Sequence, residues 1–402
     1  MNIHQAKRNR FGIRNMIEIG RFRFIIHHSS LDMPMLFKPS IIKNLSLPNR
    51  FVRSATYEGL ANEDGSCSER LADFMVQLAK GGVGLIITSH AYVSRRGRAR
   101  PRQLGIYSDE LIPGLAAMAE AVHNAGGRIA VQLAHAGCHA VPYHAAQKPL
   151  GASNLVHEGL PDCIEMAGDD FGMIAEDFAR AARRAQKAGM DGVQIHSAHG
   201  YLLSQFLSPF FNRRKDRYGA KLEDRSRLLL EVVQSVRNEV GERFPVTVKI
   251  NSEDFLTEGL TVEEMLEVAS MLEAAGLDAI ELSGGTMHSG RYLPVRPGKL
   301  DTEDKEAYFL KAAIKLRERV KIPLMLVGGI RSYGVAERIV KEGIADYVSL
   351  SRPLIKEPDL VNRWKSGDTA KAKCVSDNLC YESVKAGKGL YCVVEKRAGR
   401  LT

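Results

Sequence analysis

The chain has 402 residues, 45% hydrophobic and 26% charged. That balance is ordinary for a soluble globular enzyme, and the length suits one α/β barrel or two smaller domains. No run of 18 apolar residues occurs, which argues against a transmembrane helix. The formal charge of +9 invites nucleic acid or a membrane as partner, but much of it is local. Lys7, Arg8, Arg10, Arg14, Arg21 and Arg23 stand against only Glu18 and Asp32 in the first 34 residues. The single later basic run, RRGRARPR (Arg95–Arg102), has no interleaved aromatics, so neither partner is expected.

Residues 1–34 lack the apolar core and cleavage site of a secretory signal. They resemble a transit peptide weakly and read better as a disordered extension ahead of a start at Met33 or Met35. A cytoplasmic location is therefore expected. The six cysteines (Cys67, Cys138, Cys163, Cys374, Cys380, Cys392) read as reduced thiols or ligands and not as a disulfide framework.

In chain order, LFKPSIIKNLSLPNRFVRSA holds two short β-like runs around a polar turn, then a strand at Arg50–Ala55. Strands and helices alternate from there. Ser68–Lys80 is a helix opened by a capping serine, Val83–Thr88 a strand, Ser108–Gly126 a helix closed by glycine and Arg128–Ala134 a strand. A long segment, His135–Gly172, follows; it is rich in Gly, His and Pro and has the makings of a lid. Met173–Gly189 is a helix, Gly192–Ile195 a strand and EDRSRLLLEVVQSVRNEVG a helix. The second half repeats the rhythm. Its strands are Pro245–Asn251, Ala279–Ser283, Ile322–Gly329 and Tyr347–Ser351. Its helices are Thr261–Gly276 with a TVEE capping box, DKEAYFLKAAIKLRERV, SYGVAERIVKEG and PDLVNRWKSG. Continuous apolar strands are buried on both faces, and eight units predict a (β/α)8 TIM barrel with an N-terminal β-hairpin cap and a lid after strand 3. The barrel is expected over residues 35–367 and a cysteine-containing tail over 368–402.

In such a barrel the chemistry sits at the C-terminal strand ends, which selects Ser54–Tyr57, Thr88–His90, Gln132 with His135, His196–Tyr201, Lys249–Asn251, Ser283–Gly285, Gly328–Gly329 and Ser351–Arg352. VGGIRS (Val327–Ser332), between a strand and a helix, fits a phosphate cradle, with Ser351 and Arg352 completing it; a plain tight turn is the bland reading. Lys249 ends an apolar strand and needs an anionic partner or a depressed pKa. It suits a Schiff base, a cation facing an anionic cofactor, or a structural ion pair. HSAHGYLLSQFLSP (His196–Pro209) places two histidines and Tyr201 at a strand end. No third metal ligand stands at a telling spacing, so no metal is expected there. Neutral imidazoles can instead donate to an oxygen that gains negative charge, and the phenol can deliver a proton.

Together these motifs resemble the old yellow enzyme family of flavin-dependent NADH:flavin oxidoreductases, from Leu36 to about Trp364. The resemblance rests on LFKPSIIKNLSLPNRFVRSAT, GGVGLIIT, VQLAHAG, HSAHGYLLSQFLSPFFNRRKDRYGAKLEDRSRLLLEVV, VKIN and VGGI. It implies FMN as cofactor and NADH or NADPH as electron donor. Ser54, Ala55 and Thr56 match the backbone beside the flavin ring, Gln132 its pyrimidine edge and Lys249 the cation at its N1–O2 edge. Gly328, Gly329, Ser351 and Arg352 match the phosphate site. His196 and His199 match the pair that binds the substrate's carbonyl or nitro oxygen, and Tyr201 the proton donor. The implied reaction is reduction of the activated C=C bond of an unsaturated small molecule.

Within the family the chain resembles the 2,4-dienoyl-CoA reductase and trimethylamine dehydrogenase branch, as a single-domain member. SGGTMHSGR (Ser283–Arg291) matches a loop whose histidine assists the tyrosine, which nominates His288. That branch carries a 4Fe–4S cluster on four tail cysteines. Here CVSDNLC…C keeps Cys374, Cys380 and Cys392 but has Asp377 where a cysteine is expected, so plain thiols are favoured over a cluster. Tyr57 at the position of covalent flavin attachment argues against amine oxidation. Two other classes stay open: a flavin-free phosphate-binding lyase using Lys249, and a barrel that binds without turnover. The alkene, the preferred nicotinamide and the oligomeric state, a homo-oligomer included, are left open.

Overall fold

The structure, a computed structural model, describes residues 33–141, 147–156 and 160–399, together with the backbone of Met16–Ile19 and Phe22–Ile25, which pair as an antiparallel hairpin. The rest of the basic head lies outside the described residues. Eight parallel strands close a barrel: β1 (Phe51–Arg53), β2 (Leu85–Tyr92), β3 (Ile129–Ala134), β4 (Gly192–Ser197), β5 (Val246–Asn251), β6 (Ala279–Ser283), β7 (Leu324–Leu326) and β8 (Tyr347–Leu350). β8 pairs with β1 and each strand with its sequence neighbour, so the ring has no free edge. The expected hairpin cap is Ser40–Ile42 paired with Leu45–Leu47.

The outer layer holds α1 (Glu69–Lys80), α2 (Ile112–Asn124), α3 (Asp170–Lys187), α4 (Leu222–Val240), α5 (Val262–Ala274), α6 (Leu310–Arg319), α7 (Tyr333–Lys341) and α8 (Leu360–Lys365). Local chemistry sets several of their starts. The Ser68 hydroxyl accepts from the Leu71 amide, and Thr261 with Glu264 forms the anticipated capping box. Helix α6 starts six residues later than its periodicity suggests. Glu306 is drawn away to accept from the Arg331 and Ser332 amides at 2.6 and 2.8 Å, and Ala307 turns into the left-handed region. That diversion packs Tyr308 and Phe309 against the end of β7.

At the N-terminal face one device recurs three times. Asp191, Asp278 and Asp346 each accept the first amide of the preceding strand, from Ile129, Val246 and Leu324 at 2.7, 2.8 and 2.9 Å. Each carboxylate also pairs with a cationic or imidazole side chain from an outer helix, His123, Arg237 or Arg317. These contacts tie helix to strand at the face remote from the chemistry, where a barrel keeps its stability.

The interior corrects one sequence expectation. The strands are buried on both faces, but the layer near the C-terminal end is polar, with Arg53, His90, Gln132, Gln194, Lys249 and Glu281 all buried. A second correction concerns the thiols: Cys138 and Cys163 form a disulfide across 25 residues of the lid segment. The free cysteines are Cys67, Cys374, Cys380 and Cys392. In the folded chain the lid brings Leu150–Gly151 beside Ile164–Glu165, and this pairing carries the two sulfurs to each other.

Candidate active site

Strand register builds the site. His196 of β4 lies opposite Lys249 of β5, and Lys249 opposite Glu281 of β6. One layer over, His90 of β2 lies opposite Gln132 of β3, and Gln132 opposite Gln194 of β4. In a parallel ladder opposite residues share a face, so all six point into the barrel mouth. A polar chain results. Gln132 Nε2 donates to Gln194 Oε1 at 2.7 Å, Gln194 Nε2 to Glu281 Oε2 at 3.0 Å, and Lys249 Nζ lies 3.3 Å from that same oxygen and donates to Ser54 Oγ at 2.7 Å.

The segment after β1 is held from below. Arg53, 2% exposed, pairs with buried Glu58 at 2.5 Å and donates to the carbonyls of Ile87 and Thr56. Burial raises the Glu58 carboxyl above its ordinary value, against the pull of Arg53. This clamp presents Ser54, Ala55, Thr56 and Tyr57 to a cavity of about 250 Å³ at the barrel mouth. Thr56 Oγ1 and Ser351 Oγ share a hydrogen bond of 2.8 Å.

The histidine pair forms one wall. His196 and His199 meet edge to face at 5.2 Å, and the His196 ring lies 5.0 Å from that of Tyr201. His199 adopts φ 64°, steadied by its amide, which donates to Asn251 Oδ1 at 3.2 Å; its Nε2 shares a hydrogen bond with Ser283 Oγ at 2.8 Å. His196 Nδ1 is buried and has no partner among the described residues. Burial, joined by the Lys249 charge and the neighbouring His90, holds both imidazoles well below the usual histidine range, so both are neutral at physiological pH. The Tyr201 phenol is pushed up to about 12 by burial, and its oxygen lies 3.0 Å from His90 Nε2. Burial lowers His90 to about 4.

At the opposite end lies a glycine cradle. Gly328 and Gly329 have φ 131° and 75°, and a Cβ at either position would come within 3 Å of Phe309 or Tyr308. Only glycine fits there. Arg331 and Arg352 flank this run, and the tail orients both. Arg331 donates to Ser376 Oγ at 2.8 Å; Arg352 donates to Asn378 Oδ1 at 2.7 Å and to the Arg296 carbonyl at 2.9 Å. Tyr381, also from the tail, reaches the same cavity. The tail thus contributes Tyr381 to the site's wall and, through Ser376 and Asn378, braces its two arginines.

A second cavity, about 470 Å³, adjoins the first through Tyr201 and runs beneath the lid. His288 lies here, stacked on His139 at 5.3 Å and near Phe211 at 5.7 Å. The histidine bonded to Tyr201 is His90, while His288 and Tyr201 share a cavity wall. In the tail, Cys374, Cys380, Cys392 and Asp377 border a cavity of about 20 Å³ together with Arg352. Asp377 Oδ1 accepts the Leu379 amide at 3.0 Å, and burial pushes the Cys380 thiol up to about 12. Among the described residues no three His, Cys, Asp or Glu side chains are arranged to hold a metal ion.

Residues 35–370 match the NADH:flavin oxidoreductase / NADH oxidase family. The chain belongs to that family. Over 377 residues it is 36% identical to the NADH oxidase of Thermoanaerobacter brockii, covering 91% of this chain and 56% of that protein, so it spans about half the length of that relative. Among solved structures it is similar to a 2-naphthoyl-CoA reductase in complex with 2-naphthoyl-CoA. There the TM-score is 0.81 at 27% identity, with 91% of this chain and 57% of the other covered. It is also similar to the old yellow enzyme homologue from Zymomonas mobilis, with TM-score 0.72, 27% identity, and 84% and 94% covered. The old yellow enzyme resemblance and the TIM barrel both stand, and the family is one of oxidoreductases that use FMN with NADH or NADPH.

The residues present fit that cofactor. The cavity combines a glycine cradle flanked by two arginines, a buried lysine and an uncharged glutamine edge, with no Asp or Glu in its wall among the described residues. Every residue to which the family resemblance gives a cofactor or substrate role, His288 apart, borders this one cavity. Several wall residues have no role in the sequence reading, three of them polar and bonded within the site. Arg331 stood inside the VGGIRS motif; His90 stood at a selected strand end without a role; Tyr381 gave no signal, because only the returning tail brings it in. No described helix is long and apolar enough to cross a membrane.

Proposed function

We propose that this chain is an NAD(P)H-dependent FMN ene-reductase that reduces the activated C=C bond of an α,β-unsaturated carbonyl-type compound. The observation that carries the reading is the neutral pair His196 and His199 beside a protonated Tyr201, on the wall opposite the arginine-flanked glycines. When bound, FMN supplies the two-electron chemistry, taking a hydride from NADH or NADPH and passing one to the alkene.

The chain's own residues divide the remaining work. Gly328, Gly329, Arg331, Ser351 and Arg352 would hold the cofactor's phosphate through backbone amides and cations. Gln132 and Lys249 would hold the pyrimidine edge of its ring, with Ser54, Ala55 and Thr56 beside it. The Glu281 carboxylate pairs with Lys249 and holds its side chain in place, an arrangement that suits an electrostatic role. His196 and His199 donate hydrogen bonds to the carbonyl oxygen as negative charge builds on it. Neutral donors are required, because a protonated imidazole beside Lys249 would add a second buried cation. Tyr201 gives its proton to the α-carbon, and His90 orients the hydroxyl. We assign His288 to the wall that receives the body of the substrate. The cytoplasm, where reduced nicotinamide is supplied, is the location that suits this cycle.

The test is optical. Purified protein should carry the visible band of oxidised flavin, lose it on anaerobic mixing with NADH or NADPH, and regain it when an enone is added. Protein that binds no FMN, or bound FMN that neither nicotinamide bleaches, would refute the proposal.

A further inference from the structure

The run RRGRARPR lies in the loop after β2, and its arginines have different surroundings. Arg95 lies over the Tyr107 ring at 5.0 Å, Arg96 donates to the Lys148 carbonyl at 3.3 Å, and Arg102 pairs with Glu63 at 2.8 Å. Arg100 is exposed and its guanidinium has no hydrogen bond or ion pair among the described residues. Its backbone is nevertheless fixed. Gln103 Oε1 accepts from the Ala99 and Arg100 amides at 2.7 and 3.3 Å, while Gln103 Nε2 donates to the His90 carbonyl at 2.7 Å. The Tyr57 hydroxyl donates to the next carbonyl, that of Pro101. The strand that positions His90 thus also positions Arg100.

Arg100 borders both the main cavity and the cavity beneath the lid, as do Tyr201 and Met287. Neither wall holds an Asp or Glu among the described residues. The other cations of the main cavity, Lys249, Arg331 and Arg352, have protein partners and stand where the proposed function places the flavin. Arg100 is the fourth cation and stands beside the proton donor: its charge reaches the Tyr201 phenol, the Tyr57 phenol and His139. An unpaired, weakly hydrated, planar cation at the rim of an acid-free cavity is a docking point for a carboxylate.

We propose that Arg100 sets substrate choice, and that the preferred substrate is an α,β-unsaturated carbonyl compound that also bears a carboxylate, docked on the guanidinium while the histidine pair holds the carbonyl oxygen. This rests on the ene-reductase reading. The recognised chemistry is an anion, and the nicotinamide brings phosphates of its own, so the test separates the two sources. The probes are 6-oxohept-4-enoate and its methyl ester, which differ by one charge. The flavin-loaded wild-type enzyme is expected to favour the acid in kcat/KM by about tenfold, expressed in KM, the scale of one charge-assisted hydrogen bond. The preference falls as salt is raised. Arg100→Gln should erase the preference and Arg100→Lys retain part of it, with flavin content reporting that each variant folds.

Wild-type turnover of the ester with no preference for the acid, or a preference that survives in Arg100→Gln, overturns the proposal and leaves the ene-reductase reading standing. A defect of Arg100→Gln confined to flavin reduction by NADH and NADPH, absent with phosphate-free 1-benzyl-1,4-dihydronicotinamide, also overturns it, because the guanidinium then serves the donor. Failure of the flavin-loaded wild type to reduce either probe refutes the ene-reductase reading beneath it.

Discussion

Removing one oxygen atom from Tyr201 separates the two halves of the proposed cycle. Tyr201→Phe keeps the ring that lies 5.4 Å from His90 and 5.0 Å from His196, and deletes the hydroxyl bonded to His90 Nε2. Two consequences follow. The buried His90 nitrogen loses its partner, which costs about 1–3 kcal/mol of stability. The site also loses the proposed proton donor. Burial pushes the phenol up to about 12, so the hydroxyl is fully protonated at neutral pH. A positioned general acid contributes about 10²–10⁴-fold, or about 3–5 kcal/mol of barrier. In anaerobic stopped-flow experiments the reductive half-reaction with NADH or NADPH should keep its wild-type order of magnitude. The oxidative half-reaction with an enone should slow by about 10²–10⁴-fold. Equal slowing of both halves, or an unchanged oxidative half-reaction, would refute the assignment.

Lys249→Met leaves Glu281, 0% exposed, without its cation, and should destabilise the fold by about 3–5 kcal/mol in urea unfolding. Adding Glu281→Gln should recover most of that loss; a double variant no more stable than the single one would contradict the pairing. Stability should also depend on pH through the buried imidazoles. His90 and His139 are held at about 4, against about 6.5 in an unfolded chain. The unfolded chain therefore binds more protons below about 6.5, and stability that is complete above that pH is lost as the pH falls towards 4, by up to about 1.4 kcal/mol per unit for each ring. The urea midpoint should fall across that window, less steeply in His139→Asn, and an unchanged slope in that variant would count against the shift. Reducing the Cys138–Cys163 disulfide opens a loop of 25 residues, worth about 3–4 kcal/mol of chain entropy. Dithiothreitol should accelerate limited proteolysis between these two cysteines, and equal rates with and without it would show that the bond does not restrain the lid.

The barrel was legible because its signals are local. Apolar strand runs, capping serine and threonine, and glycine stops each act within one element, and the rule that chemistry gathers at strand C-termini then selected most of the cavity wall. What was not legible depends on register or on chain return. The chain from Gln132 through Gln194 and Glu281 to Lys249 exists because the register of four strands brings two adjacent rows together, which no single strand encodes. His90 reaches Tyr201 because β2 runs on through a register shift between Ile87 and His90, beyond the point where its apolar run ends. Ser376, Asn378 and Tyr381 come from a tail that sequence assigns to an appendage, yet Arg331 and Arg352 rely on it. The disulfide escaped notice because its cysteines are distant in sequence and only the folded lid brings them together.

The central claim is that one hydrogen reaches the alkene from the nicotinamide through FMN and the other from Tyr201. Deuterium labelling tests it most directly. With 4-deuterated NADH or NADPH of the transferring face, in ordinary water, the reduced enone should carry the label on its β-carbon. With unlabelled donor in heavy water, the label should fall on the α-carbon, because the Tyr201 hydroxyl exchanges with solvent. Nicotinamide label on the α-carbon, or no label from either source, would contradict the account.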